Sequence, residues 1–156
     1  MTVISSLIRS IYYFIISKLH FPSNYKNKIM RMKDGLEFKI FRHMCIKSGS
    51  QLETGSIFIV RFKFKKFSHK ANIRLSRIPI LLIAGFPGFR DKLWMIDWKT
   101  DYWQGLYQWE NFEAIENYKK SFVLGMMNKR AVDDSISYEI IKHRNIDDYL
   151  QSRILQ

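Results

Sequence analysis

The side chains with the clearest capacity for chemistry lie on two neighbouring predicted strands. Alternation along these strands brings cationic and aromatic side chains to one surface. The residues on that surface are Arg90, Lys92, Trp94, Trp103, Tyr107 and Trp109. Gly105, between the aromatic residues, leaves room there for a ligand or for a closely packed strand. An aromatic pocket with few polar groups is typical of a small-molecule site, although the same residues would also suit a dimer interface.

Two further side chains are candidates for the same chemistry. Arg61 lies on the preceding predicted strand, and with Arg90 and Lys92 it would polarise a carbonyl or hold a carboxylate of the ligand. His43 lies on an early predicted strand and is a candidate base, or else a hydrogen-bonded structural residue. Trp94, Arg90 and His43 are therefore the catalytic candidates.

Other kinds of site are not indicated by the sequence. The single cysteine, Cys45, has no partner for an internal disulfide, and no Cys/His cluster has zinc-site spacing. No phosphate-binding loop or Ser/His/Asp arrangement stands out. We therefore predict neither a metal nor a cofactor, and we expect a cytoplasmic, reducing setting.

The net charge of +12 is distributed unevenly along the 156 residues. Residues 1–56 contain nine Lys/Arg and three Asp/Glu, residues 57–92 nine and one, and residues 93–156 eight and ten. This asymmetry predicts a field that faces an acidic partner, such as a membrane surface, a nucleic acid or an anionic ligand. A general solubility charge is the alternative interpretation.

The N-terminal segment, residues 2–20, predicts an amphipathic helix. Its apolar stripe consists of Ile4, Leu7, Ile8, Ile11, Ile15 and Leu19. Arg9 and several serines interrupt the run, which does not suit a membrane-spanning helix, and no signal-peptide cleavage site follows. Two placements stay open for the stripe: docking on the protein body or a dimer mate, and contact with a membrane surface.

The remaining elements predict an α+β fold. Strands are expected at 36–46, 56–65, 89–98, 102–110 and 136–141, and helices at 68–77 and 111–127. An apolar connection at 80–86 is expected to follow the first of these helices. In the strand at 36–46, alternation places Phe38, Ile40, Arg42 and Met44 on one face. From residue 56 this is the ferredoxin-like βαββαβ order. The expected units are an N-terminal helix (1–22), a connector with an extra strand (23–55), the ferredoxin-like domain (56–142) and a C-terminal tail (143–156).

Several motifs within residues 56–142 carry a resemblance to a known family. They are Phe86-Pro-Gly-Phe-Arg-Asp-Lys-Leu-Trp94, Asp97, Gly105-Leu-Tyr-Gln-Trp109 and the helix containing Glu113, Ala114 and Tyr118. They resemble the YdhR-like monooxygenases, part of the dimeric α+β barrel group that includes antibiotic-biosynthesis monooxygenases and haem-degrading enzymes. The resemblance implies a homodimer with a cavity on the sheet face opposite the helices. It also implies, for some members, oxidation of aromatic substrates by oxygen without an added metal or flavin.

Two other functions fit the sequence less well. Haem-degrading members use an Asn, a Trp and a His; Trp94 matches the Trp, but the first core strand has no Asn and the helix at 111–127 has no His. Ferredoxin-like sheets also bind single-stranded nucleic acid, but residues 103–109 do not match the RNA-recognition signature. Nucleic-acid binding is therefore not expected.

Taken together, the residues and the resemblance predict binding of a hydrophobic or aromatic small molecule in a dimeric α+β barrel. Cofactor-independent monooxygenase chemistry is the enzymatic form of this prediction. The alternative is a non-catalytic ligand-binding or membrane-peripheral protein, positioned by the helix in residues 2–20.

Overall fold

A computed structural model describes residues 2–47 and 54–155 of the chain, so residues 48–53 of the expected connector lie outside the described residues. One antiparallel sheet contains all of the named strands. These are β1 (Leu19–His20), β2 (Ile29–Arg31), β3 (Glu37–Ile46), β4 (Ser56–Phe62), β5 (Phe89–Ile96), β6 (Trp103–Trp109), β7 (Ser137–Ile141) and β8 (Ile154–Leu155). Their order across the sheet is β7-β4-β6-β5-β3-β2-β8, with β1 also paired to β3.

The four strands β7, β4, β6 and β5 form the ferredoxin-like core of this sheet. In order of sequence they are the fourth, first, third and second core strands, which is the arrangement that a split βαβ repeat produces. The predicted α+β, ferredoxin-like fold is therefore confirmed. The N-terminal strands extend the sheet past β5 instead of forming a separate layer.

Six helices surround the sheet in the described part of the chain. They are α1 (Val3–Ile15), α2 (His69–Leu75), α3 (Ile78–Ala84), α4 (Phe112–Lys119), α5 (Phe122–Arg130) and α6 (Ile146–Gln151). Ser68 and Asn111 cap α2 and α4 by accepting hydrogen bonds from the N–H groups of Ala71 and Ala114.

Two predictions about the helical layer were wrong. The expected apolar connection at 80–86 is the helix α3, which begins with Pro79 in its first turn, where proline's missing N–H has no helical partner to lose. The single helix expected at 111–127 is two helices, because Ser121 caps α5 by accepting a hydrogen bond from the N–H of Leu124. Each side of the helical layer therefore consists of two short consecutive helices, α2 with α3 and α4 with α5.

The two faces of the sheet bury different cores. One face packs against α3, α4 and α5 and carries the aromatic residues of β6. The opposite face carries Ile57, Ile59, Leu93, Met95 and Leu106, and the chain itself covers it with Met30, Met32 and the α6 residues Ile146, Tyr149 and Leu150. The face on which the resemblance places a cavity is therefore occupied by the chain's own residues.

A β-bulge in β3 changes which face its side chains occupy. Pairing with β5 shifts register between Ile40 and Arg42, so Ile40 joins the core under α6 while Met44 joins the core under the helices. The expectation that Phe38, Ile40, Arg42 and Met44 share one face was wrong, because one extra residue reverses the alternation beyond it. Arg42 and Met44 thus lie on the face that packs against the helices.

The N-terminal helix docks on α3 through serines, and its apolar stripe stays exposed. The hydroxyls of Ser6 and Ser10 donate to the carbonyls of Leu82 and Leu81, and both serines are buried. Ile4, Ile8 and Ile15 are 70%, 63% and 72% exposed, whereas Leu19 lies in β1, beyond the end of the helix, and is buried in the core. Of the placements left open, docking on the protein body therefore holds for Leu19 but not for these three isoleucines. None of the helices in the described ranges is long and apolar enough to cross a membrane.

Candidate functional site

An apolar cavity of about 310 Å³ lies between the sheet and the helices. Its floor is formed by β5 and β6, and its walls by α2, α3 and α5. The floor residues are Lys92, Trp94, Trp103, Gly105 and Tyr107. The walls contribute Leu75, Ile78, Ile83, Val123, Met126 and Met127, among others. Such a volume, with an apolar lining and few polar groups, is typical of a small-molecule site.

Lys92 is the only lysine among the described residues that line this cavity. Its Nζ lies 2.7 Å from the hydroxyl oxygen of Tyr107 and donates a hydrogen bond to it. The same atom lies 4.3 Å from the ring centre of Trp94 and 4.1 Å from that of Tyr107. The side chain is almost completely buried, and no carboxylate in the described part of the chain forms an ion pair with it.

These surroundings lower the pKa of Lys92 well below its usual range. The first cause is burial, which removes water from the ammonium form, and the second is the nearby charge of Arg42. Arg42 is held in place by hydrogen bonds to the hydroxyl of Ser76, at 2.6 Å, and to the carbonyl of Ile73. A lysine with a lowered pKa is available as an uncharged amine, which can accept a proton.

The tyrosines beside the cavity stay protonated. Burial raises the pKa of Tyr107 and that of Tyr118 above the ordinary tyrosine value. Their hydroxyl groups therefore act as neutral hydrogen-bonding groups near Lys92 and do not supply a negative charge to it.

Trp103 is fixed at the edge of the cavity by a relay of side chains. Its indole Nε1–H donates to Nδ1 of His69 at 2.9 Å, and Nε2 of His69 lies 2.8 Å from a carboxylate oxygen of Asp101. Because the indole can only donate, Nδ1 of His69 must accept and Nε2 must carry the proton. The relay joins α2 to the β5–β6 hairpin and holds one cavity wall against the floor.

Gly105 keeps the centre of the floor open. It pairs with Trp94 on one side and with Val60 on the other. A Cβ atom at this position would lie 2.7 Å from the ring of Tyr107. The position thus lets the Tyr107 ring lie over the strand, with its hydroxyl beside Lys92.

The cavity rim carries a second cation. Arg130 lines the cavity, lies over the ring of Phe64 at 4.8 Å and donates to the side-chain oxygen of Asn72 at 2.9 Å. A ligand with a hydroxyl at one end and an anionic group at the other would meet Lys92 at the floor and Arg130 at the rim.

The structure brings together half of the candidate site residues. Lys92, Trp94, Trp103 and Tyr107 share the cavity, while the other four candidates lie elsewhere. Trp109 is buried deeper in the same core, between Phe89 and Tyr118. The cavity lies on the face that packs against the helices, so the implied cavity on the opposite face was wrong for these residues.

The other three candidates are held in separate contacts. Arg61 lies on the α6 side of the sheet, bonded to Asp34 and Gln104. Arg90 sits at a bulge of β5 and pairs with Glu110. His43 is also on the α6 side, with its Nε2 2.8 Å from a carboxylate oxygen of Asp91. None of the three lines the cavity.

Sequence reasoning missed Arg42 and the contribution of the helices. Arg42 was assigned to a shared face with Phe38, and only the bulge at Phe41 directs it toward Trp94. The walls from α3 and α5 were missed because α3 was interpreted as a connection. The Pro79 position, one residue into an apolar run, was the available signal for a helix start.

A larger groove of about 540 Å³ lies beside the start of α4. It is lined by polar surface residues that include Glu110, Glu113 and Lys120, and by none of the buried titratable groups. The smaller apolar cavity is the better candidate site because it combines apolar walls with a buried amine.

Comparison with solved structures shows the same fold in bacterial proteins. The haem-degrading enzyme LmHde from Listeria monocytogenes aligns with a TM-score of 0.56 and 12% identity, over 81% of this chain and 97% of that one. An uncharacterised ferredoxin-fold protein from the same species, related to antibiotic-biosynthesis monooxygenases, aligns with a TM-score of 0.53 and 10% identity, over 87% and 88% of the chains. A monooxygenase-like protein from Listeria innocua gives 0.53 and 12%, over 89% and 88%.

Sequence comparison does not add to this likeness. No protein-family model matches the chain, and no curated protein is significantly similar to it. At identities of 10–12%, the solved structures establish a shared ferredoxin-like fold. Function therefore has to be argued from the site.

Proposed function

We propose that this protein binds a small aromatic molecule in the cavity between sheet and helices and uses Lys92 to remove a proton from it. The observation that carries the proposal is the buried Lys92 amine at the floor of an apolar cavity, in contact with Trp94 and Tyr107 and with its pKa lowered by burial. The aromatic floor residues Trp94, Trp103 and Tyr107 favour an aromatic ligand, and the amine of Lys92 favours one with an acidic hydroxyl or ring CH₂ group.

The proposed chemistry starts with proton transfer to Nζ of Lys92. The resulting ligand anion is stabilised by the new ammonium group and by Arg42 behind Trp94. Such an anion is electron-rich and reacts with O₂ through its carbon atom to give a peroxide, which takes the proton back from Lys92. Loss of water then leaves a carbonyl, so that R₂CH₂ and O₂ give R₂C=O and H₂O.

Binding is tested with 1-naphthol, which has two fused rings and one acidic hydroxyl. Trp94 and Trp103 line the cavity, so a bound ligand should quench tryptophan fluorescence in a saturable way. The variant Lys92→Met should weaken binding about tenfold or more, since a hydrogen bond to a charged or ionisable partner contributes about 1.5–3 kcal/mol. Lys99→Met is the matched control, because Lys99 is exposed on the β5–β6 hairpin. Equal binding by both variants would contradict the proposed site.

Catalysis is tested by uptake of dissolved oxygen with a panel of hydroxylated two- and three-ring aromatics. The proposal expects uptake by the wild type and by Lys99→Met, and loss of uptake in Lys92→Met. Saturable binding without oxygen uptake would instead support the non-catalytic ligand-binding alternative.

Haem, which the name of one structural neighbour gives as its substrate, fits this cavity less well. Haem iron is usually held by His, Cys, Met or Tyr. The described lining residues include no His or Cys, so Met126 and Met127 lack the His that accompanies Met in cytochromes c. Tyr107 is already bonded to Lys92, and burial keeps Tyr118 in its neutral form. A planar macrocycle with two propionates would also need wider walls and a second rim cation beside Arg130. We therefore favour a smaller aromatic ligand.

A second candidate function is attachment to an anionic membrane surface through α1. Its exposed apolar side chains form an interfacial face, and α3 exposes Ile78 beside it. Residues 1–33 and 54–90 contain no Asp or Glu, so the surroundings of α1 and α3 are basic by sequence. Apolar contact combined with basic residues is the usual basis of peripheral membrane binding.

Flotation with vesicles tests this attachment. Wild-type protein should float with phosphatidylserine-containing vesicles at low salt and less at high salt, whereas Ile8→Asp/Ile15→Asp should stay in solution. Phe122→Asp is the matched control, because Phe122 is an exposed apolar residue on α5. If the wild type does not float, and the double variant has half the solution mass of the wild type, the stripe is a homodimer contact instead.

A further inference from the structure

We propose that His43, Cys45 and Asp91 form a zinc site on the α6 side of the sheet, separate from the cavity. One ligand atom from each of the three side chains lies within 4.8 Å of the other two. His43 and Cys45 are on β3, and Cys45 is paired with Asp91 on β5. The sheet itself separates this cluster from Lys92, which points to the helix side.

The geometry of the cluster is close to that of a zinc site. Zinc binds His nitrogen, Cys sulfur and Asp oxygen at roughly 2.0–2.3 Å, so two ligand atoms of a tetrahedral site lie roughly 3.3–3.8 Å apart. The Nε2 of His43 is already 2.8 Å from a carboxylate oxygen of Asp91. Small side-chain rotations therefore bring the three atoms around one ion. Nitrogen, thiolate and carboxylate ligands together suit zinc better than magnesium or calcium.

The acidic side of the cluster has no lysine or arginine as a partner. Among the described residues Asp91 forms an ion pair only with His43, through Nε2. His43 is 6% exposed, so water does little to stabilise charge there. A divalent cation would supply the positive charge and would displace the thiol proton of Cys45 on binding.

A fourth ligand position is available next to the cluster. His20 on β1 is the cross-strand partner of Cys45, and cross-strand partners share a face of the sheet. A water molecule would complete the tetrahedron, or His20 would do so after its Nε2 leaves the carbonyl oxygen of Ser17, 2.8 Å away. Since β1 contains only two residues, zinc bound by His20 as well would fix the end of the N-terminal segment to the sheet. Cys45 is partly exposed, which provides a route for the ion.

The sole thiol of the chain makes the site directly measurable. Full-length protein is treated with a chelator and dialysed, and the alkylation rate of Cys45 is followed with and without zinc. The proposal expects zinc to slow alkylation at least tenfold at one equivalent per chain. His43→Gln and Asp91→Asn should lose most of this protection, whereas His143→Asn, an exposed histidine far along the chain, should keep it.

Cobalt provides a second readout that needs only the wild-type protein. Co²⁺ bound to Cys45 should give a thiolate-to-metal charge-transfer band in the near ultraviolet, together with the visible absorption of a tetrahedral ion. If Co²⁺ gives no such band, or if zinc leaves the alkylation rate unchanged, the proposal is overturned even where the variants fail to fold.

Discussion

The burial of Lys92 should make the stability of the protein depend on pH. An unfolded lysine has a pKa of about 10.4, whereas the pKa of Lys92 in the folded protein is well below its usual range. Between these two values the unfolded chain binds a proton that the folded chain does not. The free energy of unfolding should therefore rise with pH, by up to about 1.4 kcal/mol per pH unit.

The variant Lys92→Met should remove this part of the pH dependence. Between pH 7 and 10 the variant should gain stability relative to the wild type, and the gain should shrink as the pH rises. Urea unfolding at several pH values measures it. Cys45 and the tyrosines are present in both proteins, so their contributions cancel in the difference. A difference that does not change with pH would mean that Lys92 is charged in the folded protein.

Gly105 provides a second test at the scale of one residue. Gly105→Ala places a methyl group 2.7 Å from the ring of Tyr107, which must then move away from Lys92. Overpacking of this kind costs about 1–3 kcal/mol. We expect lower stability in urea unfolding and at least tenfold weaker binding of 1-naphthol. Gly125→Ala on α5 is the matched control, since a Cβ there contacts nothing within 4 Å. Unchanged binding in Gly105→Ala would show that the ligand does not use this part of the floor.

At the scale of elements, α1 packs so closely on the end of α3 that Gly85 cannot carry a side chain. A Cβ at Gly85 would clash with the backbone of Ser6. Gly85→Val should therefore release α1 from α3, and the amides of residues 3–15 should exchange hydrogen faster in mass spectrometry. The amides of β4 and β6 should keep wild-type protection. Slow exchange throughout α1 in this variant would contradict the docking seen in the structure.

The elements also show which parts of the fold were predictable from the sequence. Period-2 alternation located β4, β5 and β6 within one to three residues, because each buries at least one face against a core. The division of 111–127 into α4 and α5 was missed, although Ser121 is a common capping residue, because the apolar spacing continues across the break. The bulge in β3 could not be predicted, since it depends on pairing with β5 rather than on local sequence.

The candidate site was likewise predictable where alternation is regular and not where a bulge or distant helices decide. Lys92, Trp94, Trp103 and Tyr107 come from regular alternation on two adjacent strands, and the structure places all four around one cavity. Arg90 and His43 lie beside bulges of β5 and β3, and alternation carried through a bulge assigns the wrong face. The burial of Lys92 depends on α3 and α5, which are distant in sequence, so its lowered pKa was not predictable from the residues alone.

At the scale of the whole molecule, α6 closes the face of the sheet that faces away from the other helices. Leu150 is fully buried against this face, together with Ile57, Ile59 and Leu93. Leu150→Ala should lower the free energy of unfolding by about 2–5 kcal/mol. Leu81→Ala, at an exposed position of α3, should change it by less than about 0.5 kcal/mol. Equal effects in urea unfolding would mean that α6 does not belong to the core.

The position of α6 also bears on the predicted homodimer. A barrel formed by two bare sheet faces needs those faces open, whereas here Met30, Tyr149 and Leu150 cover the face. A homodimer of this chain therefore stays a prediction, and the exposed stripe of α1 is a surface that it would use without moving α6.

The role of Lys92 as a base is tested most directly by the ionisation state of 1-naphthol when it is bound to the protein. Its anion absorbs at longer wavelength than the neutral molecule, so an absorption spectrum at pH 7 reports whether the hydroxyl proton has moved. Proton transfer to Lys92 should give the anion spectrum with the wild type and with Lys99→Met, and the neutral spectrum or no binding with Lys92→Met. A neutral spectrum of naphthol bound to the wild type would contradict the role assigned to Lys92.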